Sequence, residues 1–591
     1  MNSIKINHEQ PTVVPPPTPV QTPKCSYDFI SITTQIDEFL SGIDDTTRNL
    51  PQLPIPATKH LIAFVEKELF RCFDSGPSPV AIDNDNDLLK AIRQIFTLID
   101  VLQVLPSDSS HANIISHTAS VFHLAMVSIE EGFRSMLEYN DDPFKEVDRL
   151  ERIASTVISV GYETECCQVF IIARVDRIWE VLEELGFVKI AIEDLHKMTW
   201  EVLENEIKIW IAAFKHAVSE SFSQEKKLCK AVFSSYPAIS AVLFSDLARG
   251  IILNLVNFGE AVASTSRSGE KLFKFLDMYE TMRDLMPAVN DLFKDESSSS
   301  STSSSTAKLQ SELLFEMSIA KSRIGEAVVG MFNDVANSIK NDNDKVPVPG
   351  GAVHPLTRYI MNYLKYACEY KNTLEQVFQQ HNRSDTVNDL QQKVSFADEL
   401  VKMMGLLDEK LMARSKLYKD PSLTSIFLMN NGRYIVQKIK GLAETREMLG
   451  EQWCRKRSSD VRKYHKNYQR ETWGKVLNCF KDEGLQIKGG SSVSKTVLKE
   501  RFKTFNAMFE ETHKTQGCWV ISDAQLQSEL RVSLQAVVVP AYRSFLGRFR
   551  RYLDAGRQSD KYIKYAPEDL ETCIDELFSG NQSSTIIKGR K

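Results

Sequence analysis

Three short stretches of the 591-residue sequence place chemistry-bearing side chains at suggestive spacings. Gly489–Thr496 reads GGSSVSKT, one residue short of a phosphate-cradling P-loop. Ser494 stands where the second glycine must let the backbone curl around phosphate oxygens. No strand-like segment precedes it, so the stretch reads as a loop whose serines cap a helix starting near Lys495. Asp83, Asp85 and Asp87 begin like a calcium loop. Leu88, however, takes the place of the sharp-turn glycine, and Gln94 that of the bidentate glutamate. A polar helix entry fits better. His111, His117 and His123 recur every six residues, which sets successive rings about 600° apart on a helix, on diverging faces. The sequence has no HExxH, no paired CxxC, no G-x-G and no G-x-S-x-G elbow. The first two would signal a metal site and the others a Rossmann turn or a nucleophile turn. No catalytic constellation emerges, so the chain is expected to be no enzyme and to need no cofactor or metal.

Charge is the remaining chemical signal. Arg433–Lys475 holds 12 Lys/Arg against 5 Asp/Glu, and Arg531–Lys564 holds 8 against 2. The whole chain balances at −6, from 72 basic and 78 acidic side chains. A polarised molecule is implied, with a C-terminal half suited to an anionic surface. Tyr464, His465, Tyr468 and Trp473 interleave with the first run, and Phe549 and Tyr552 with the second. Base-stacking platforms have this look. The same helical spacings suit packing, and no RNA-binding motif accompanies them, so nucleic acid is not expected as a partner. Near an anionic leaflet each basic residue contributes about 1 kcal/mol. A few of them give weak, reversible binding that other tethers would strengthen.

The elements that carry these runs read as helices. Hydrophobic residues are 42% and charged residues 25%, ordinary globular material with length for about four domain-sized units. Leu150, Ile153, Ala154, Val157 and Ile158 fall on one helical face, as do Leu203, Ile207, Trp210, Ile211 and Phe214. Leu498, Phe502, Phe505 and Phe509 form a third stripe, and Leu570, Cys573, Ile574, Leu577 and Phe578 a fourth. Pro567, followed by Glu568 and Asp569, suits the start of the last helix. Ala536–Val539 is the only β-branched cluster of note. The fold class is all-α, and helices in this number must stack as bundles or a rod.

Six of the residues from Pro11 to Pro23 are proline, and Ser297–Ser305 is serine but for one threonine; both read as solvated, unstructured chain. Asn341–Gly351, NDNDKVPVPGG, breaks the helical pattern again. The expected organisation is a Pro-rich arm with a short helical segment over 1–60 and helical bundles over 61–294. A Ser-rich loop, a short helical segment near 307–340 and a Pro/Gly linker fill 295–350. C-terminal bundles occupy 351–591. No run of 18 apolar residues suggests a membrane span. The N-terminus lacks the charged start and apolar stretch of a signal peptide. The ten cysteines lack regular spacing and read as reduced intracellular thiols, with Cys166 and Cys167 as small buried hydrophobes.

Several segments resemble one family closely. GGAVHPLTRYIMNYL (Gly350–Leu364), FLMNNGRYIVQKIK (Phe427–Lys440), YQRETWGKVL (Tyr468–Leu477) and LKERFKTFNAMFEE (Leu498–Glu511) are similar to the seventy-kilodalton subunit family of the exocyst, the vesicle-tethering complex. So are VVPAYRSFLGRFR (Val538–Arg550) and KYIKYAPEDLE (Lys561–Glu571) and, earlier, ECCQVF, KMTWEVLE, NFGEAVA and LDMYETMRDLMP. The resemblance covers roughly residues 145–580 and points to the land-plant branch. It implies an elongated rod of stacked antiparallel helical bundles and a non-catalytic tether docking secretory vesicles at the plasma membrane. The implied location is the cytoplasm and the cytoplasmic face of that membrane. Implied partners are other exocyst subunits, phosphatidylinositol 4,5-bisphosphate and Rho-type small GTPases. The family's basic lipid-binding residues correspond to Lys561 and Lys564, with Arg543, Arg548, Arg550 and Arg551 beside them.

Two departures stand out. The family assembles through an N-terminal coiled-coil segment, whereas Ile30–Leu40 and Leu61–Phe73 offer only short amphipathic helices. Gly432 sits where many relatives carry a larger side chain, at a cost in helix propensity of up to about 1 kcal/mol. A soluble helical adaptor of the same family, acting outside the assembled complex, is the alternative reading.

Overall fold

A computed structural model describes residues 29–43, 53–74, 85–104, 109–138, 143–294, 303–343, 345–381, 395–485, 493–553 and 561–580. The helices in chain order begin with α1 Phe29–Ser41, α2 Ile55–Asp74, α3 Asp85–Val104, α4 Ser109–Glu138, α5 Val147–Ser159, α6 Glu163–Glu184 and α7 Ile192–Leu195. There follow α8 Trp200–His216, α9 Phe222–Val232, α10 Pro237–Ala263, α11 Leu272–Leu292, α12 Ser303–Asn341, α13 Pro355–Glu369 and α14 Lys371–His381. The rest are α15 Phe396–Ser415, α16 Pro421–Lys440, α17 Ala443–Leu449, α18 Glu451–Asn478, α19 Lys495–Gly517, α20 Ala524–Phe549 and α21 Pro567–Asp575. Among the described residues there is no strand; Val520 and Ser579 form an isolated antiparallel bridge. The all-α fold class is therefore as the periodicity requires.

The apolar stripes become core because 3.6-residue spacing lines them along one side of each helix. Leu150, Ile153, Ala154 and Val157 are buried on α5, and Leu203, Ile207, Trp210 and Phe214 on α8. Side-chain caps fix several starts. Asp523 accepts from the Leu526 amide at 2.8 Å to open α20, and Ser395 and Asp398 close a capping box on α15.

Two compact units divide the chain. The first comprises Met1–Gly186, His216–Ile251 and Leu292–Gln310; the second comprises Phe187–Lys215, Ile252–Asp291 and Ser311–Lys591. Within the first, Arg174 and Glu225 form a buried pair whose side chains are 7% and 5% exposed. Arg174 also donates to the Leu137 carbonyl at 2.9 Å. Such a pair is costly to break on one side only, because the surviving charge stays buried. Within the second unit, Trp210 is fully buried and donates from Nε1 to the Leu255 carbonyl at 2.8 Å.

Also in the second unit, α16 lies directly against α18. A Cβ on Gly432 would meet Val461 Cγ2 at 2.8 Å. The glycine that costs α16 propensity thus permits a close helix approach. Behind α18, α19, α20 and α21 runs one aromatic-rich cluster containing Tyr468, Trp473, Phe502, Phe505, Phe509, Tyr542 and Phe545.

The structure departs from the sequence reading in several places. The segment near 307–340 is not short: α12 has 39 residues, and Ser303–Ser305, expected in the loop, open it. The rest of that serine stretch, the proline-rich stretch Pro11–Pro23, Asp83 and Gly489–Ser492 lie outside the described residues. Ser494 does precede α19, but its side chain caps nothing. The last stripe outruns its helix: α21 ends at Asp575, and Leu577 and Phe578 are buried beyond it. Phe578 does so with φ 65°, a left-handed conformation held by a hydrogen bond from its backbone N–H to the Gln516 carbonyl at 3.1 Å. Finally, α10 is by itself long and apolar enough to cross a bilayer, although 56% of its most apolar window is buried in the protein. Charged residues such as Asp246 and Arg249 interrupt any continuous apolar run there.

Candidate anionic-surface site

The six cations implicated by resemblance sit on α20, on the 3-10 turn Arg550–Tyr552 that follows it, and on the segment leading into α21. On α20, Leu534, Val538, Tyr542, Phe545 and Phe549 face the core, so Arg543 and Arg548 are left exposed. Arg550 and Arg551 are exposed on the turn. Residues 561–562 form a turn and 563–566 have no regular structure. Lys561 and Lys564, three residues apart, therefore do not share a helical turn. The alternation comes from the aromatic neighbours instead. Tyr562, Ile563 and Tyr565 pack on the core cluster. The Tyr562 carbonyl accepts from Asn506 Nδ2 at 2.8 Å and the Tyr565 carbonyl from the Tyr542 hydroxyl at 2.7 Å. With those residues pinned inward, Lys561 and Lys564 are left exposed.

Exposed does not mean unpaired. Lys564 Nζ lies 2.8 Å from Glu510 Oε1, which also accepts from the Tyr565 hydroxyl at 3.2 Å. Burial, with the Glu510 charge beside it, pushes the Tyr565 phenol up, so it remains a donor. Arg543 reaches Glu568 at 3.6 Å and Glu571 at 3.7 Å, and Arg548 pairs with Asp482. Arg551 sits over Tyr552, 4.9 Å from the ring centroid. Lys561 and Arg550 make no ion pair among the described residues. Because these pairs are solvent-exposed, each is worth about 0–1 kcal/mol, and a phosphate competes with the carboxylate on nearly even terms. No local pattern marks the acidic members, Glu510, Glu568, Glu571 and Asp482. Glu510 and Lys564 are 54 residues apart, and nothing in the intervening sequence couples them.

The first basic run is placed differently. Along α18 the interleaved aromatics turn inward: Tyr468 and Trp473 are buried at 0% and 2% exposure. The Trp473 indole donates to the Tyr468 hydroxyl at 3.0 Å, and burial pushes that phenol well up. Tyr464 and His465 are half-buried. On the second run Phe549 is buried and Tyr552 half-buried. These rings are packing groups. Burial also pushes the Cys166 thiol up to about 12 and that of Cys167 up to about 11, so the vicinal pair stays protonated near neutrality and is a poor nucleophile. His117 contacts Glu66 at 2.9 Å.

Fold and site together define an all-α bundle protein whose candidate chemistry is a set of surface cations. Residues 208–576 match the family described as the C-terminal part of the Exo70 exocyst complex subunit. The chain is 50% identical over 468 residues to exocyst complex component EXO70C1 of Arabidopsis thaliana, covering 76% of this chain and 69% of that relative. It is 41% identical over 637 residues to EXO70C2 of the same plant, covering 96% and 89%. A crystal structure of the Saccharomyces cerevisiae exocyst component Exo70p matches with a TM-score of 0.52 at 15% identity, over 88% of this chain and 100% of that one; this shows the shared fold. The chain belongs to the Exo70 family, within its plant branch.

Proposed function

We propose that this protein is an exocyst subunit that helps tether secretory vesicles to the cytoplasmic face of the plasma membrane. Its C-terminal cations, led by Lys561 and Lys564, engage phosphatidylinositol 4,5-bisphosphate there. The observation that carries the reading is the 50% identity to an exocyst component. The outward pose of both lysines beside a pinned aromatic segment supports the lipid part. Lysine suits the task, since a flexible ammonium reaches a phosphate without desolvating a neighbour. Other exocyst subunits and Rho-type GTPases are the protein partners this reading entails.

A second reading, a soluble adaptor outside the complex, is favoured by one observation. Lys564, Arg543 and Arg548 already face carboxylates, which lowers the positive potential offered to a membrane. Co-purification of the tagged chain from plant cells separates the two. Recovery of the other exocyst subunits supports the tether. Their absence, together with no sedimentation on phosphoinositide vesicles, gives the role to the adaptor.

A further inference from the structure

A dense run of exposed charge in the second unit lies on α18, none of it among the six C-terminal cations. Arg455, Lys456, Arg462, Lys463, Lys466 and Arg470 are all exposed. At 100° per residue they fall within about 120° of arc and about 22 Å of helix. Only Ser459 joins them on that arc. The acidic residues of the helix, Glu451, Asp460 and Glu471, project outside it. The ion pairs made along α18 use Glu451 with Arg446, Arg457 with Asp408, and Arg470 with its neighbour Glu471. Arg455, Lys456, Arg462, Lys463 and Lys466 make no ion pair among the described residues. Lys456 feels the Asp408 carboxylate and Asp460 lies within the stretch, so repulsion among the cations is only partly relieved and an external anion is favoured.

The form of the surface selects the anion. A single helix face is convex and offers no groove for an acidic peptide. No large apolar side chain is exposed between Glu451 and Asn478, which excludes insertion into the acyl region, and the aromatics that could stack on bases are buried or half-buried. Bare charge on a convex face suits a surface whose negative charge is spread in a plane and needs no pocket. We propose that the α18 stripe is a second membrane contact, which reads the charge density of an anionic bilayer rather than one headgroup. The inference rests on the peripheral-membrane reading given above but uses none of its residues.

The test uses the full chain and two kinds of vesicle: phosphatidylcholine with phosphatidylserine, and phosphatidylcholine with phosphatidylinositol 4,5-bisphosphate as sole anionic lipid. Each neutralised cation should cost about fivefold in partitioning, so R462Q/K463Q/K466Q should lose on the order of a hundredfold on phosphatidylserine vesicles. R462E/K463E/K466E should lose more, and added salt should mimic both. All three side chains are exposed, so circular dichroism and thermal midpoint should stay native. Unchanged phosphatidylserine binding by the glutamine variant overturns the proposal, as does failure of the wild type to bind such vesicles at low salt. Tighter wild-type binding to duplex DNA than to vesicles would assign the stripe to nucleic acid and overturn it as well. The C-terminal reading is scored separately, by K561E/K564E on the phosphoinositide vesicles, so either can fail alone.

Discussion

The α18 stripe and the C-terminal cluster carry the same side-chain types and back onto the same aromatic core, yet they present charge in opposite ways. On α18 the cations share one face of a regular helix, and five of them lack a carboxylate partner among the described residues. At the C-terminus they are spread over α20, a 3-10 turn and an irregular segment, and three of the six meet acids from elsewhere in the chain. A basic run in sequence therefore does not fix a basic surface. Helical periodicity concentrates charge, while tertiary neighbours partly cancel it. The first region suits non-selective attraction to a charged plane. The second, where exposed pairs exchange cheaply, suits a compact multivalent phosphate that can outbid a carboxylate.

The largest effect should come from the shared core. Trp473→Ala should destabilise by about 3–5 kcal/mol in denaturant titration, since a fully packed indole is removed. A shift near zero would return the α18 aromatics to the surface and revive base stacking. Next, Lys561→Glu with Lys564→Glu should weaken binding to phosphoinositide vesicles by at least about 2 kcal/mol, read by sedimentation. Retention of wild-type binding would move the site to Arg543–Arg551.

Smaller changes sharpen the contrast. Glu510→Gln should release Lys564 and strengthen phosphoinositide binding by up to about 1 kcal/mol; equal or weaker binding would show that Lys564 makes no headgroup contact. Tyr542→Phe removes the bond to the Tyr565 carbonyl and should cost about 1 kcal/mol, with faster amide exchange confined to 561–566 if that bond pins the segment. Smallest of all, Lys466→Ala should leave stability within about 0.5 kcal/mol, whereas a core role for the stripe would make it behave like Trp473.

Much of this was legible from local pattern. The stripe from Leu203 to Phe214 marks α8, and Pro567 with two acids marks the start of α21, because capping and 3.6-residue spacing act within a few turns. Projecting α18 at that same spacing yields the cationic arc, a signal masked by the aromatics interleaved with it. Other features had no local signal. Ser494 lies in the right place for a cap but makes no such bond, and α12 begins inside a serine run that composition assigns to loop.

By itself, then, the sequence determined an all-α chain, its family and the rows from which its cations come, since helix periodicity and motif identity are properties of short contiguous segments. The tertiary structure decided which cations are paired. Lys564 meets Glu510 across 54 residues and Arg548 meets Asp482 across 66, and only packing brings such groups within ion-pair reach. It also decided that Gly432 serves a helix contact and that Phe578 adopts a left-handed backbone to fill the core. Charge interaction depends on distance through space, which spacing along a chain does not record.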